Sequence, residues 1–153
     1  MNHRITHSRT AVDLSLLIVR VVAGVIFAAH GAQKMWGWFG GPGLAATVKP
    51  PPDGMGTLGY LVSIGEFFGG IGLIVGFLTR FSAASLIIIM IGAIAQVHGK
   101  NGFFLSNGGF EYNLALIGLL APVLLVGPGR FAIGRLLPLP KSRHGGQPLM
   151  PLE

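Results

Sequence analysis

The chain of 153 residues is 51% hydrophobic and 10% charged, against about 25% charged residues in soluble domains, which excludes an ordinary soluble globule and leaves room for one polytopic membrane domain. Its net charge of +6 comes from cations scattered around apolar segments and along the C-terminal tail, so no nucleic-acid patch is read from it. Cysteine is absent, which removes disulfides, thiolate metal sites, iron–sulfur ligation and thiol relays.

Residues 1–13 are polar, with His3, Arg4, His7 and Arg9, and show no period of a packed element, so they read as a mobile N-terminal tail. The apolar run that follows is too long for a signal peptide and lacks a small-residue cleavage site before a polar chain, so a first membrane span is expected from Leu14 to Trp36. Trp36, Trp38 and Phe39 form an aromatic belt at its end. This span carries Arg20, His30, Gln33 and Lys34. At 100° per residue, Arg20, Gly24, Phe27, Gly31 and Lys34 lie within roughly 80° of one another and His30 borders them, so one stripe is small and polar. A charge in hydrocarbon costs on the order of 3 kcal/mol, so the stripe should face a bundle interior, a cavity or a ligand. A packing seam with a buried ion pair explains it equally well.

Gly40-Gly41-Pro42-Gly43 stops that helix, and Pro50-Pro51-Pro52-Asp53-Gly54 marks a second irregular stretch. A short helix over Leu44–Val48 on the membrane surface fits between them. A second span is expected over Leu58–Leu78, with one charge, Glu66, among Gly69, Gly70, Gly72 and Gly76. The glycines predict close helix contact. Thr79 and Arg80 lead into a third span, Phe81–Val97, so spans two and three should be antiparallel neighbours. Gln96 and His98 sit at its far end, and a Gly/Asn-rich loop with Phe103-Phe104-Leu105 follows. A short fourth span, Tyr112–Val126, contains Pro122.

Charge bias sets the topology. With four spans, Arg4, Arg9, Arg80, Arg130, Arg135, Lys141 and Arg143 share one side, against Lys34, Lys49 and Lys100 on the other, which predicts both termini cytoplasmic. The expected fold is thus an all-α membrane protein, a four transmembrane helix bundle over residues 14–127. Residues 128–139 then read as a basic amphipathic interfacial segment and residues 140–153 as a disordered tail.

Counting helical rise from Leu14 and Leu78 as cytoplasmic ends puts Arg20 about 9 Å, Glu66 about 18 Å and His30 about 24 Å into the membrane. An Arg20–Glu66 pair is therefore expected, with a protonated or cavity-exposed Glu66 as the alternative. At the outer end His30, Gln33 and Lys34 meet Gln96 and His98 and the entering Glu111 and Asn113. Two histidines on different helices suit a haem or divalent metal, although no further ligand spacing accompanies them. A polar pocket with an apolar wall, the form a quinone headgroup or small redox solute needs, explains the set with fewer parts. Interfacial polar residues capping helix ends are the remaining reading.

Arg20 with Phe27-Ala28-Ala29-His30-Gly31-Ala32-Gln33-Lys34 and Gly37-Trp38-Phe39-Gly40-Gly41-Pro42-Gly43 resembles the opening of the DoxX family of small bacterial membrane proteins. Matching runs follow in order: Glu66 with Gly69-Gly70, Leu78-Thr79-Arg80, His98-Gly99-Lys100-Asn101-Gly102-Phe103-Phe104, Gly108-Gly109-Phe110-Glu111-Tyr112-Asn113 and Gly127-Pro128-Gly129-Arg130-Phe131. Gly134 stands where the family usually has an aspartate. The resemblance implies a four-helix bundle in the bacterial cytoplasmic (inner) membrane, and a link to quinone-dependent oxidation in which some members partner redox enzymes. Quinone is then the candidate ligand. The bilayer, an oxidoreductase and a second copy of the chain are the candidate partners. A non-catalytic assembly or anchoring module, or a small-solute carrier, is the competing class, because fold kinship does not carry an activity with it.

Overall fold

The computed structural model describes residues 2–135, and every regular element among them is helical. Helix α1 spans Asn2–Trp36. Residues 2–13, read from sequence as a tail, are thus part of a continuous helix. No glycine or proline precedes Gly24, so nothing stops the helix from extending past its apolar portion, and the Ser15 hydroxyl returns a hydrogen bond to the Ala11 carbonyl at 2.9 Å. Residues 9–12 are exposed, which is why no apolar period marks them. At the other end Gly37, with φ of 72°, caps α1 in the left-handed conformation and donates its N–H to the Gln33 carbonyl.

A short helix α2, Gly43–Thr47, leads to α3, Leu58–Val75. Helix α3 closes in a left-handed turn at Gly76, where the N–H groups of Gly76 and Phe77 both reach the Gly72 carbonyl. Helix α4, Thr79–Ala93, starts directly after Leu78. It continues through a π-helical turn, Ile94–His98, and a 3₁₀ turn, Gly99–Asn101. Helix α5, Glu111–Val126, follows. Three stretches, Arg9–Trp36, Leu58–Val75 and Thr79–Asn101, are long and apolar enough to cross a membrane, and α5 is a shorter apolar helix.

Helices α1, α3, α4 and α5 pack in that cyclic order around a core of Ala23, Phe27, Leu73, Leu86, Met90, Leu116, Leu120 and Val123. Ile18, Val25, Leu61, Phe68, Ile88 and Leu125 lie exposed on the outside. An apolar exterior around helices whose backbone bonds are internally satisfied is what a bilayer requires. The α1–α3 seam is backbone against backbone. A Cβ on Gly24 would lie 2.7 Å from the Gly70 carbonyl oxygen, and one on Gly70 would lie 2.6 Å from the Gly24 oxygen. Glycine at these positions is therefore a steric requirement, as the sequence pattern anticipates.

The register of this seam decides what the buried charges meet. Gly24 faces Ile74, Gly70 faces Ala28 and Gly31 faces Phe67. Extending that antiparallel pairing puts Arg20 level with Leu78 and Glu66 level with Ala32, about 18 Å apart at helical rise. The sequence estimate had matched Leu14 with Leu78, an offset of six residues. The basic segment read over 128–139 is described as far as Arg135. Residues 128–135 fold back as a loop and a 3₁₀ turn, Ile133–Arg135. The tail read over 140–153 lies outside the described residues.

Candidate functional site

Arg20 is fully buried and does not meet Glu66. Its Nε donates to the Leu73 carbonyl at 2.9 Å and its Nη2 to the Ile74 carbonyl at 3.3 Å, while Nη1 donates to the carbonyls of Pro128 and Phe131. Leu73 and Ile74 belong to the last turn of α3, whose carbonyls have no intrahelical partner and carry the negative end of the helix dipole. The guanidinium is thus a cap on α3 and a tie to the Gly127-Pro128-Gly129 loop. Asp13 of α1 strengthens the same junction by accepting the Arg130 N–H at 2.9 Å. Arg80 repeats the device on α5, donating to the carbonyls of Leu125 and Val126 at 3.0 and 3.3 Å. The expected Arg20–Glu66 pair is therefore corrected, and Arg20 is not part of the outer cluster.

Glu66 pairs instead with Lys34, Nζ to Oε2 at 2.5 Å, with the two side chains 18% and 5% exposed. Helix α1 projects Lys34 from its buried stripe, one turn beyond His30. The hydroxyl of Thr47 in α2 covers the end of that helix, bonding the carbonyls of Lys34 at 3.3 Å and Gly43 at 2.8 Å. The ion pair forms one side of a half-open cavity of about 490 Å³ bordered by α1, α3, α4 and α5. Phe27, Val62, Ile89, Met90 and Leu116 give it an apolar wall, and His30, Lys34, Glu66, Gln96, His98, Tyr112 and Asn113 give it polar groups.

Each polar group is held by its own local structure. The π-helical turn at the end of α4 shifts the register by one residue, and Gln96, Val97 and His98 from this turn line the cavity; such turns recur at functional sites. His98 Nδ1 bonds the Gly108 carbonyl at 2.8 Å, which also accepts from Asn101 at 3.2 Å. His30 Nδ1 lies 3.1 Å from Gln33 Oε1, and the His30 ring meets Tyr112 edge to face at 6.2 Å between centroids. Asn113 is buried and donates to the Met90 sulfur at 3.4 Å.

Of the nine residues singled out in the sequence, the structure gathers six: His30, Lys34, Glu66, Gln96, His98 and Asn113. Gln33 orients His30 and packs beneath Gly41 rather than lining the cavity. Glu111 accepts the Leu105 N–H at 2.9 Å and closes the Phe103–Phe110 loop from the first turn of α5. Both stand on helices, α1 and α5, and are engaged in short local bonds away from the cavity. Tyr112 was missed as a site residue, although it stands between Glu111 and Asn113; the available signal was its place four residues before Leu116, on the same helical face. Among the described residues no three His, Asp or Glu side chains gather as a metal-ligand set.

The chain is similar to known membrane proteins. The chain is 30% identical over 104 residues to "Putative oxidoreductase CatD" of Bacillus subtilis (strain 168), covering 68% of this chain and 74% of that protein. It is 27% identical over 128 residues to "Inner membrane protein YqjF" of Escherichia coli (strain K12), covering 82% and 93%. It is 28% identical over 134 residues to "Uncharacterized membrane protein Rv3486" of Mycobacterium tuberculosis (strain ATCC 25618 / H37Rv), covering 80% and 81%. No solved structure matches the chain significantly. The DoxX family model matches residues 15–99, which include the α1–α3 seam, the Lys34–Glu66 pair and His98, and this chain belongs to the DoxX family.

Proposed function

We propose that this protein is a multi-pass subunit of the bacterial cytoplasmic membrane that holds a quinone-class redox solute and serves an oxidoreductase partner. The carrying observation is the cavity itself. Its volume of about 490 Å³ is that of a small-molecule site, and its apolar wall with a few convergent polar groups is the form such sites take. The wall suits a ring and the start of an isoprenoid chain, while Lys34, Gln96, Tyr112 and Asn113 offer donors to ring oxygens. The name of the Bacillus relative supports the link to oxidation, and that of the Escherichia relative supports the membrane. In this reading α5 is the fourth span and both termini are cytoplasmic, in keeping with the excess of Lys and Arg on that side.

The test is solvent extraction of the protein purified with its native lipids, followed by chromatography of the extract and titration with a short-chain benzoquinone. Bound quinone near stoichiometric amounts, lost in Lys34→Met, is expected. A haem band in the visible spectrum would replace the ligand assignment. Absence of both extracted quinone and saturable binding would move the protein to the other class, an assembly module or solute carrier that uses the same cavity without electron transfer.

A further inference from the structure

The two cavity histidines fix which redox form of such a ligand fits. A backbone carbonyl has no proton to offer, so the 2.8 Å bond between His98 Nδ1 and the Gly108 oxygen requires Nδ1 to be the donor. In neutral imidazole the other nitrogen is then an acceptor. His30 is held through Nδ1 as well, there against the side-chain amide oxygen Oε1 of Gln33, which accepts. Both rings line the cavity, and neither Nε2 has a hydrogen-bond partner among the described residues. Glu66 adds a third acceptor, since only its Oε2 is engaged by Lys34.

The cavity therefore presents acceptors, His30 Nε2, His98 Nε2 and Glu66 Oε1, beside the donors of Lys34, Gln96, Tyr112 and Asn113. A quinone can only accept, and it would leave those acceptors without partners when it displaces water from them. A hydroquinone hydroxyl both donates and accepts, so it satisfies both sets. A site arranged around a hydroxyl discriminates strongly against an analogue lacking the proton, because its own polar groups are left unpaired. Resting on the quinone-class reading of the cavity, we infer that the ligand this protein holds is the reduced, dihydroxy aromatic form, with the Nε2 atoms of His98 and His30 accepting its hydroxyl protons.

The experiment is calorimetric titration of the full chain in lipid nanodiscs at pH 8, under anaerobic conditions, with three short-chain probes of one shape: a benzohydroquinone, the matching benzoquinone and the dimethyl ether of the hydroquinone. The hydroquinone should bind at least about tenfold tighter than either of the others. His98→Asn keeps an amide N–H where Nδ1 stands, so the bond to Gly108 and the loop persist, while the cavity acceptor is lost. In that variant the hydroquinone should weaken by about tenfold and the quinone should be unchanged. A thermal melt matching the wild type confirms that the variant is folded; if it is not, His30→Asn carries the same comparison. Quinone binding as tightly as hydroquinone, or the dimethyl ether matching it, overturns the inference and leaves the quinone-class site standing. Binding of none of the three overturns the site as well.

Discussion

Replacing Arg20 by Met should be among the most damaging single changes to this fold, and its size can be worked from the contacts. Four of the five guanidinium N–H groups are engaged by the carbonyls of Leu73, Ile74, Pro128 and Phe131. Methionine matches the volume of the stem, so packing is largely kept and the loss is that of the donors. The loop carbonyls of Pro128 and Phe131 lie near the surface and can turn to water. Those of Leu73 and Ile74 end α3, the first buried and the second part-buried, and leaving them unsatisfied at about 1–3 kcal/mol each puts the destabilisation at about 2–6 kcal/mol. Arg20→Lys should recover little of it, because one ammonium cannot reach four acceptors arranged for a planar fork. Reversible unfolding in mixed micelles, followed by circular dichroism, measures the difference. A loss below about 1 kcal/mol would refute the reasoning, since it would mean that the helix-end carbonyls find other partners without cost.

The remaining predictions concern the ion pair, the seam and the topology. Lys34→Met and Glu66→Met should each cost about 3–5 kcal/mol and the double replacement clearly less than their sum, whereas Arg20→Met with Glu66→Met should be additive within about 0.5 kcal/mol; the same unfolding assay reads both cycles. Gly70→Leu should abolish folded protein in detergent, because its side chain would enter the α1 backbone at Gly24 and Ala28, while Gly118→Ala, which meets nothing within 4 Å, should leave the melting temperature unchanged or slightly raised; size-exclusion profiles and melts decide this. Single replacements Thr57→Cys and Asn107→Cys should react with an impermeant thiol reagent in intact cells and Ser8→Cys and Ser142→Cys should not, and the reverse pattern would overturn the proposed orientation.

Much of the fold is legible in the sequence because membrane helices write themselves in one dimension. The three long apolar stretches and the close approach through Gly24, Gly31 and Gly70 follow from composition and spacing, whereas the α3–α4 turn, expected at Thr79–Arg80, falls at Gly76–Leu78. What could not be read was register. The charged partner nearest to Arg20 by depth was Glu66, and that estimate depended on aligning two helix ends by hydropathy. The steric fit of Gly24 against Ile74 and Gly31 against Phe67 sets a different alignment, and it moves Glu66 from Arg20 to Lys34. A second limit is chemical. Arg20 is satisfied entirely by backbone carbonyls, and every residue carries one, so no side-chain pattern announces them.

The candidate site separates from the scaffold by the same test applied to each polar residue, namely how much of its hydrogen-bonding capacity the protein itself takes up. Arg20, Arg80, Asp13 and Glu111 are each held by backbone groups at helix ends or loops. These residues explain how charges survive in an apolar chain without any ligand. The cavity residues differ. Among the described residues Lys34 engages Glu66 alone, each histidine is held through Nδ1 only, and Asn113 gives one amide proton to a sulfur. A polar group that is buried and only half engaged is costly unless something else completes it. Glu66 and Asn113 are buried in that condition and face one space with the half-buried His30, Lys34 and His98, so the stability of the bundle and the affinity for its ligand are expected to be linked: saturating ligand should raise the unfolding midpoint, and at a hundred times its dissociation constant the gain is about 2.7 kcal/mol. Hydroquinone that leaves the midpoint of the wild-type protein unmoved at such concentrations would show that water alone completes these groups.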